Sequence, residues 1–268
     1  MQLFDNVGRR TRSAGLRGIV TGPARDSRLE QPVLTQHLGR CSRLIGSFVG
    51  AGLAFSGSAD FAKRSQAIVE GLRRNEAVAS VLNGVYLPIC LPRLTVDDYG
   101  AVLNTVFFKA VERSFETQFL GHQRFENSLA QYLPQGILLA AESRQQTLLE
   151  RMQRGPVVGI YFPMALLGFS VKAARNQLAE LPSNFLLSGG LDVAAALAMY
   201  PDVLGHHDDD AESSVPTLVL SGVSFKNNPS SPLTVSTMSG ATSLEDLGDI
   251  SDAFGDFAPG LLVIEDNQ

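Results

Sequence analysis

The sequence has no tryptophan, two cysteines and few charged side chains. Charged residues make up 18% of its 268 residues and aromatic residues 7%. Cys41 and Cys90 lie among apolar neighbours, without a CxxC spacing or a nearby Cys/His cluster. That argues against a zinc site and against a disulfide framework, and a chain of this length can bury a sufficient core without either. We therefore expect two buried free thiols.

Long apolar runs are missing as well. The uncharged stretch from Gly155 to Val171 is shorter than the roughly 20 residues of a membrane-spanning helix, and Pro163 and Gly168 interrupt it. The first ten residues, MQLFDNVGRR, lack the apolar core of a signal peptide. We expect no transmembrane span, and an intracellular (cytoplasmic) protein or a component of a particle assembled inside a cell.

Familiar catalytic patterns are also lacking. No GxSxG elbow is present, and His37 and His122 have no neighbouring nucleophile. His206 to Asp210, HHDDD, contains metal-ligand residue types, but without the spacing of common zinc sites, so a solvated loop is the favoured interpretation. We predict no catalytic residue, no cofactor and no metal, and we lean against an enzyme.

Charge is unevenly distributed along the chain. Residues 201–268 contain one base, Lys226, and twelve acids, a net charge of −11, so residues 1–200 carry +6 of the total of −5. Such polarity favours contacts between copies or with an anionic partner. The alternative is two solvated ends of opposite sign.

The basic excess begins in an N-terminal stretch with many glycines. Residues 1–30 have one aromatic residue, Phe4, and are expected to form a flexible arm. Arginines can bind phosphate without sequence preference, although the aromatic platforms that usually stack on bases are missing from this stretch. The predicted nucleic-acid or partner contacts are Arg9, Arg10, Arg12, Arg17, Arg25 and Arg28.

Hydrophobic periodicity indicates an α+β protein with a mainly α-helical body to about residue 200 and a small acidic C-terminal part that contains a β-hairpin. The expected units are residues 1–30, the arm; 31–201, the helical core domain; and 202–268, the acidic region, packed on the core or separate from it. The elements predicted in the body are helices at 34–57, 61–82, 95–120, 121–134, 137–154, 164–178 and 191–200, an edge strand or connector at 85–94, and strands at 157–162 and 184–187. In the acidic region, the segments 216–225 and 231–238 predict the hairpin, and GLLVIE predicts a last strand or a docking tail.

Ser188-Gly189-Gly190-Leu191-Asp192 is the sharpest motif. It resembles the SGGxDS loop of the PP-loop ATP pyrophosphatase family, with the preceding FLL and the following Ala-rich helix in the same strand-loop-helix order. The resemblance covers about ten residues, and Val193 stands where the family has a serine. It implies nucleotide binding by Ser188, Gly189, Gly190 and Asp192 at a helix N-terminus. A helix start that satisfies its own free amides is the other interpretation.

Two functions follow from these patterns. The preferred hypothesis is a non-catalytic self-assembling or scaffold subunit, a homo-oligomer that extends to a nucleocapsid- or coat-like protein if the basic arm binds nucleic acid. In that case the acidic C-terminal region contacts a neighbouring copy or another protein. The alternative is a nucleotide-binding enzyme with a degenerate PP-loop-like motif.

Overall fold

A computed structural model describes residues 2–11, 15–20, 29, 31–32, 34–48, 52–205, 215–238 and 240–266. Its α-helices are α1 (Leu34–Ser47), α2 (Ser58–Arg74), α3 (Tyr99–Val102), α4 (Phe108–Phe119), α5 (Gln145–Arg154), α6 (Val171–Leu178), α7 (Gly190–Met199) and α8 (Pro201–Leu204). A π-helical segment, Leu103–Phe107, joins α3 to α4, and short 3-10 helices occupy Ala79–Asn83 and Ala141–Ser143.

The strands are β1 (Leu87–Leu91), β2 (Arg124–Asn127), β3 (Ile137–Leu139), β4 (Val157–Phe162), β5 (Phe185–Leu187), β6 (Thr217–Val219), β7 (Val223–Phe225), β8 (Leu233–Met238), β9 (Ala241–Asp246), β10 (Phe257–Pro259) and β11 (Leu261–Ile264). The predicted α+β class is confirmed. None of the helices in the described ranges is long and apolar enough to span a membrane.

The centre of the molecule is a four-stranded antiparallel sheet in the order β1-β4-β11-β5. β4 and β11 are apolar along their whole length and every residue of both strands is buried. β1 contains Pro88 and lies at an edge of the sheet, where a missing backbone donor is tolerated. The predicted edge strand and the predicted strand at 157–162 are both confirmed.

Helix α7 is buried on all sides, and its residues other than Asp192 are small or apolar. It packs against α1, α4 and β1. Cys41 on α1 and Cys90 on β1 are both buried and free, as expected.

A second, five-stranded sheet has the order β10-β6-β8-β9-β2, and a two-stranded sheet pairs β3 with β7. β10 is parallel to β6 and β2 is parallel to β9, while β8 is antiparallel to both β6 and β9. The acidic C-terminal region joins the helical body in three places, because β11 pairs with β4 and β5, β9 pairs with β2, and β7 pairs with β3.

Several predicted elements were wrong. The segment 121–134, predicted as a helix, contains β2 followed by turns. The predicted helix at 137–154 begins only at Gln145, after β3. The helix predicted from residue 95 begins only at Tyr99, where Asp98 is the N-cap and accepts from the amide of Ala101. The predicted hairpin is present in part, because β6, within 216–225, pairs antiparallel with β8, within 231–238, whereas β7 pairs with β3 and β8 also pairs with β9.

Residues 2–11 of the predicted arm pack on the body. Phe4 has no exposed surface and its ring stacks on Phe185, with centroids 6.1 Å apart. The amide of Arg10 donates to the carbonyl of Ala165 at 2.8 Å. This part of the chain is therefore a structured element, and residues 2–11 have no apolar periodicity from which to expect it.

Candidate self-association surface

β2 lies at one edge of the five-stranded sheet, directly after a sharp reversal of the chain. Leu120 ends α4 in the left-handed conformation, with φ of 51°, and Gly121 follows with φ of 87°, which glycine adopts without strain. The chain then runs parallel to β9, with Arg124 opposite Ala241 and Phe125 opposite Thr242.

The pairing with β9 determines which backbone groups of β2 face outward. The amide of Arg124 donates to the carbonyl of Gly240 at 3.2 Å, so the backbone of Arg124 is directed toward β9. Because alternate residues of a strand direct their N–H and C=O groups to opposite sides, those of Phe125 are directed toward the open edge. Within the described ranges, no strand pairs with that edge.

The side chains of β2 alternate between the core and the solvent. Phe125 is 7% exposed, and its ring lies 5.0 Å from Phe108 and 6.2 Å from Phe115 between centroids. Arg124 and Glu126 lie on the other face and form an ion pair, with 75% and 44% of their side chains exposed. A solvated pair of this kind contributes little to stability, so both charges are available to a partner.

Two large apolar side chains lie near the start of β2. Met238 is opposite Ala241, which is in turn opposite Arg124, so these three residues form a row across the sheet. Met238 is 69% exposed and Leu120, four residues before Arg124, is 82% exposed. We call β2 together with Leu120 and Met238 the β2 edge.

Sequence reasoning missed the β2 edge because it assigned 121–134 to a helix. The pattern that indicates a strand here is short. It consists of Gly121 followed by Arg124-Phe125-Glu126, in which charged residues alternate with one aromatic residue. Three alternating residues are too few to outweigh helical spacing in the neighbouring QYL segment.

The six predicted contact arginines do not share one environment. Arg10 is 3% exposed, and its guanidinium donates to the carbonyl of Leu3 at 2.8 Å and pairs with Glu180. Arg9 is partly buried and Arg17 is exposed. The remaining three lie outside the described residues: Arg12, Arg25 and Arg28.

The predicted nucleotide loop lies in the core. β5 and α7 flank it in the expected strand-loop-helix order, but Ser188, Gly189, Gly190 and Asp192 are all buried. Asp192 Oδ1 accepts from the amide of Gly189 at 2.8 Å, and the amide of Leu191 donates to Tyr99 Oη at 3.1 Å. The amides that would bind a phosphate are thus bonded within the chain.

Space at this loop is also filled. A Cβ atom on Gly189 would lie 2.7 Å from Tyr99 Oη and 2.8 Å from the side-chain amide carbon of Gln145. Burial raises the pKa of Asp192 to about 7, although hydrogen bonds to its carboxylate oppose that shift. The arrangement therefore matches a helix start that satisfies its own amides, and it leaves no room for a phosphate.

The loop from His206 to Asp210, considered for metal chemistry, lies outside the described residues.

Comparison with known proteins gives no relative. No protein-family model matches the sequence, no curated protein matches it, and no solved structure matches the fold.

Proposed function

We propose that this protein is a non-catalytic, self-associating subunit, and that two copies join edge to edge through β2. The observation that carries the proposal is the open edge of β2, where an unpaired backbone lies between two exposed charges of opposite sign. Unpaired sheet edges are templates for strand addition by another chain.

The charges of β2 select the register of such a pairing. Because Phe125 directs both its N–H and its C=O outward, an antiparallel pair related by a two-fold axis can centre on Arg124, Phe125 or Glu126. A centre at Arg124 or at Glu126 places like charges opposite each other. A centre at Phe125 places Arg124 opposite Glu126 of the second copy, so this is the register that pairs opposite charges.

Each directly opposed charge pair contributes about 0.2–1 kcal/mol in an antiparallel sheet, and like charges in the same position destabilise by a similar amount. Two such pairs select the register more than they supply the affinity. Leu120 lies just before β2 and Met238 lies on β8, two strands in from the edge. Burial of either side chain by the second copy would add to the affinity.

Charge-swap variants test this arrangement sharply. Arg124→Glu places two carboxylates opposite each other at both ends of the junction, and Glu126→Arg places two guanidinium groups there. Each single variant should weaken self-association by about 4-fold to nearly a thousandfold, from a change of about 0.8–4 kcal/mol over the two pairs. An equimolar mixture of the two variants should regain it, because every opposed pair is then of opposite sign.

Analytical ultracentrifugation over a concentration series measures the dissociation constant of each sample. Lys109→Glu and Glu112→Arg are matched controls, since they alter an exposed ion pair of 2.7 Å on α4 by the same charges. A wild-type chain that sediments as a single copy at all concentrations refutes self-association. If both single variants associate more weakly and their equimolar mixture also stays dissociated, the proposed strand register is wrong, although β2 still lies in the interface.

The nucleocapsid- or coat-like version of the proposal adds nucleic acid as a partner. Arg17 is exposed and Arg9 partly so, and neither belongs to the buried pairing that holds Arg10. Deleting the arm would remove the buried Phe4, so substitution is the cleaner test. Arg9→Ala with Arg17→Ala should reduce both the affinity for single-stranded RNA and the steepness of its salt dependence. Equal affinity in the variant and the wild type removes this version.

A further inference from the structure

Two cysteine side chains lie next to each other in the core. Cys41 is on α1 and Cys90 is on β1, and α1 packs against β1. Neither cysteine has any exposed surface, and the thiol of Cys41 donates a hydrogen bond to the sulfur of Cys90. Such a bond leaves only the thiol hydrogen between the two sulfur atoms. The fold therefore brings together two thiols that are distant in the sequence.

The surroundings of the two sulfur atoms differ. The amide and the hydroxyl of Ser56 hydrogen-bond to Cys90, and Arg64 Nη1 donates to Ser56 Oγ at 2.9 Å. The hydrogen bond from Cys41, those from Ser56 and the positive charge of Arg64 lower the pKa of Cys90, although burial opposes the shift. The same hydrogen bond, together with burial, raises the pKa of Cys41. Cys90 is thus the cysteine that forms the thiolate, which is the nucleophilic form.

We propose that Cys41 and Cys90 are a redox modification site, at which a small hydroperoxide such as hydrogen peroxide joins the two sulfur atoms in a disulfide bond. The oxidant has to be small because both cysteines are buried. The inference does not depend on self-association, since the two cysteines lie on α1 and β1 rather than on the β2 edge.

The oxidation takes place in two steps. The Cys90 thiolate attacks one oxygen of hydrogen peroxide, the O–O bond breaks, and the leaving hydroxide takes up a proton to become water, so that Cys90 is a sulfenic acid. Cys41 then attacks the Cys90 sulfur, its proton goes to the departing hydroxide, and a second water leaves as the S–S bond forms. The two thiols together lose two electrons and two protons, and one peroxide is reduced to two waters.

Peptide mapping of the full chain tests for the link. The native protein is treated with hydrogen peroxide, catalase removes the excess, and N-ethylmaleimide is added with denaturant to block every remaining thiol. Trypsin then releases Cys41 in residues 41–43 and Cys90 in residues 75–93. The two peptides should appear joined and lighter than their sum by two hydrogen atoms, and dithiothreitol should separate them.

The urea-unfolded chain, treated with the same peroxide, is the control for the dose. If both cysteines of the native protein carry N-ethylmaleimide after a dose that oxidises them in the unfolded chain, the proposal is overturned. Separate sulfinic acids on the two peptides, instead of a link, overturn it as well.

Single-cysteine variants test the order of the two steps. In Cys41→Ser a hydroxyl can still donate to Cys90, so the sulfenic acid of Cys90 should accumulate, and dimedone added with denaturant should trap it. In Cys90→Ser the remaining Cys41 is buried away from Arg64 and Ser56 and should give much less adduct. Circular dichroism checks that both variants fold. Equal adduct in the two variants would show that Cys90 is not the attacking thiol.

Urea unfolding shows whether the native fold accommodates the link. A disulfide between Cys41 and Cys90 closes a loop that contains all of α2, and it lowers the conformational entropy of the unfolded chain. The oxidised wild-type protein should therefore unfold at a higher urea concentration than the reduced protein. An equal or lower midpoint would mean that the link strains the fold, and the proposal would fail.

Discussion

Replacing Asp192 by asparagine is expected to stabilise the protein above pH 7. Asp192 has no exposed surface, and its Oδ2 atom has no hydrogen-bond partner in the part of the chain that the structure describes. Asparagine keeps an oxygen for the amide of Gly189 and replaces the unpaired acceptor by an NH₂ group. The substitution thus removes the buried charge with little change of shape.

The size of the effect follows from the pKa of Asp192, which burial raises from 3.8 to about 7. Between these values the folded chain keeps a proton that the unfolded chain has lost, so stability is full below about pH 4 and falls as the pH rises through 7. The shift of about three units corresponds to about 4 kcal/mol. The variant lacks this loss, so its advantage over the wild type should grow by about that amount from pH 4 to pH 8.

Urea unfolding followed by circular dichroism, at intervals from pH 4 to pH 8, gives the free energy of unfolding of both proteins. Taking the difference cancels the other titrating groups. Asp98→Asn is a control of opposite sign, because hydrogen bonds from the amides of Ala101 and Gln135 lower the pKa of Asp98. Its wild-type contribution is lost only below pH 4, as the pH falls through the lowered pKa, so the Asp98→Asn difference should stay nearly constant from pH 4 to pH 8. An Asp192→Asn advantage that stays constant with pH would refute the reasoning.

Two further predictions concern the packed N-terminal residues and the buried His37. Phe4→Ala should destabilise the fold by about 3–5 kcal/mol in urea unfolding, because it empties a fully buried ring position. Val7→Ala, at a residue 50% exposed, should change the free energy of unfolding little. Equal effects of the two substitutions would contradict the packing of residues 2–11 on the body. His37 should titrate near pH 4 in NMR spectra, so its neutral form contributes stability that is full above about pH 6.5 and lost as the pH falls toward 4; a midpoint at 6.5 would contradict its burial.

The elements that sequence reasoning predicted well are those whose local pattern and tertiary position agree. β4 is rich in β-branched and aromatic residues and is buried on both faces. Apart from Asp192, α7 has small or apolar residues on every face, which is typical of a helix surrounded by core. The apolar stripe of α4 predicted that helix correctly, because the stripe is also the face that packs on the core. In each of these segments, the pattern of apolar residues is enough to predict which side chains are buried.

The misassigned segments depend on distant partners. β2 exists because β9, more than a hundred residues later, pairs with it, and β3 exists because β7 does. A strand of three or four residues carries too little alternation to outweigh the helical spacing around it. The candidate surface on β2 was therefore beyond sequence reasoning.

The count of charged residues at the N-terminus also misplaced one arginine. It predicted that Arg10 faces solvent or a partner, whereas the chain folds back and buries the Arg10 guanidinium against Glu180 and the carbonyl of Leu3. A list of charges does not tell which arginine lies next to an acid 170 residues away. The SGGLD motif likewise predicted the correct strand-loop-helix order, but it did not predict that the loop is buried in the core.

The position of β11 has a consequence for the chain during synthesis. β11 lies between β4 and β5, and all three strands are apolar and buried. Until residues 261–264 have left the ribosome, the edges of β4 and β5 that later pair with β11 have no partner. The nascent chain then exposes two apolar, unpaired strand edges. Completion of the centre of the protein therefore waits for a strand that is synthesised after both β4 and β5.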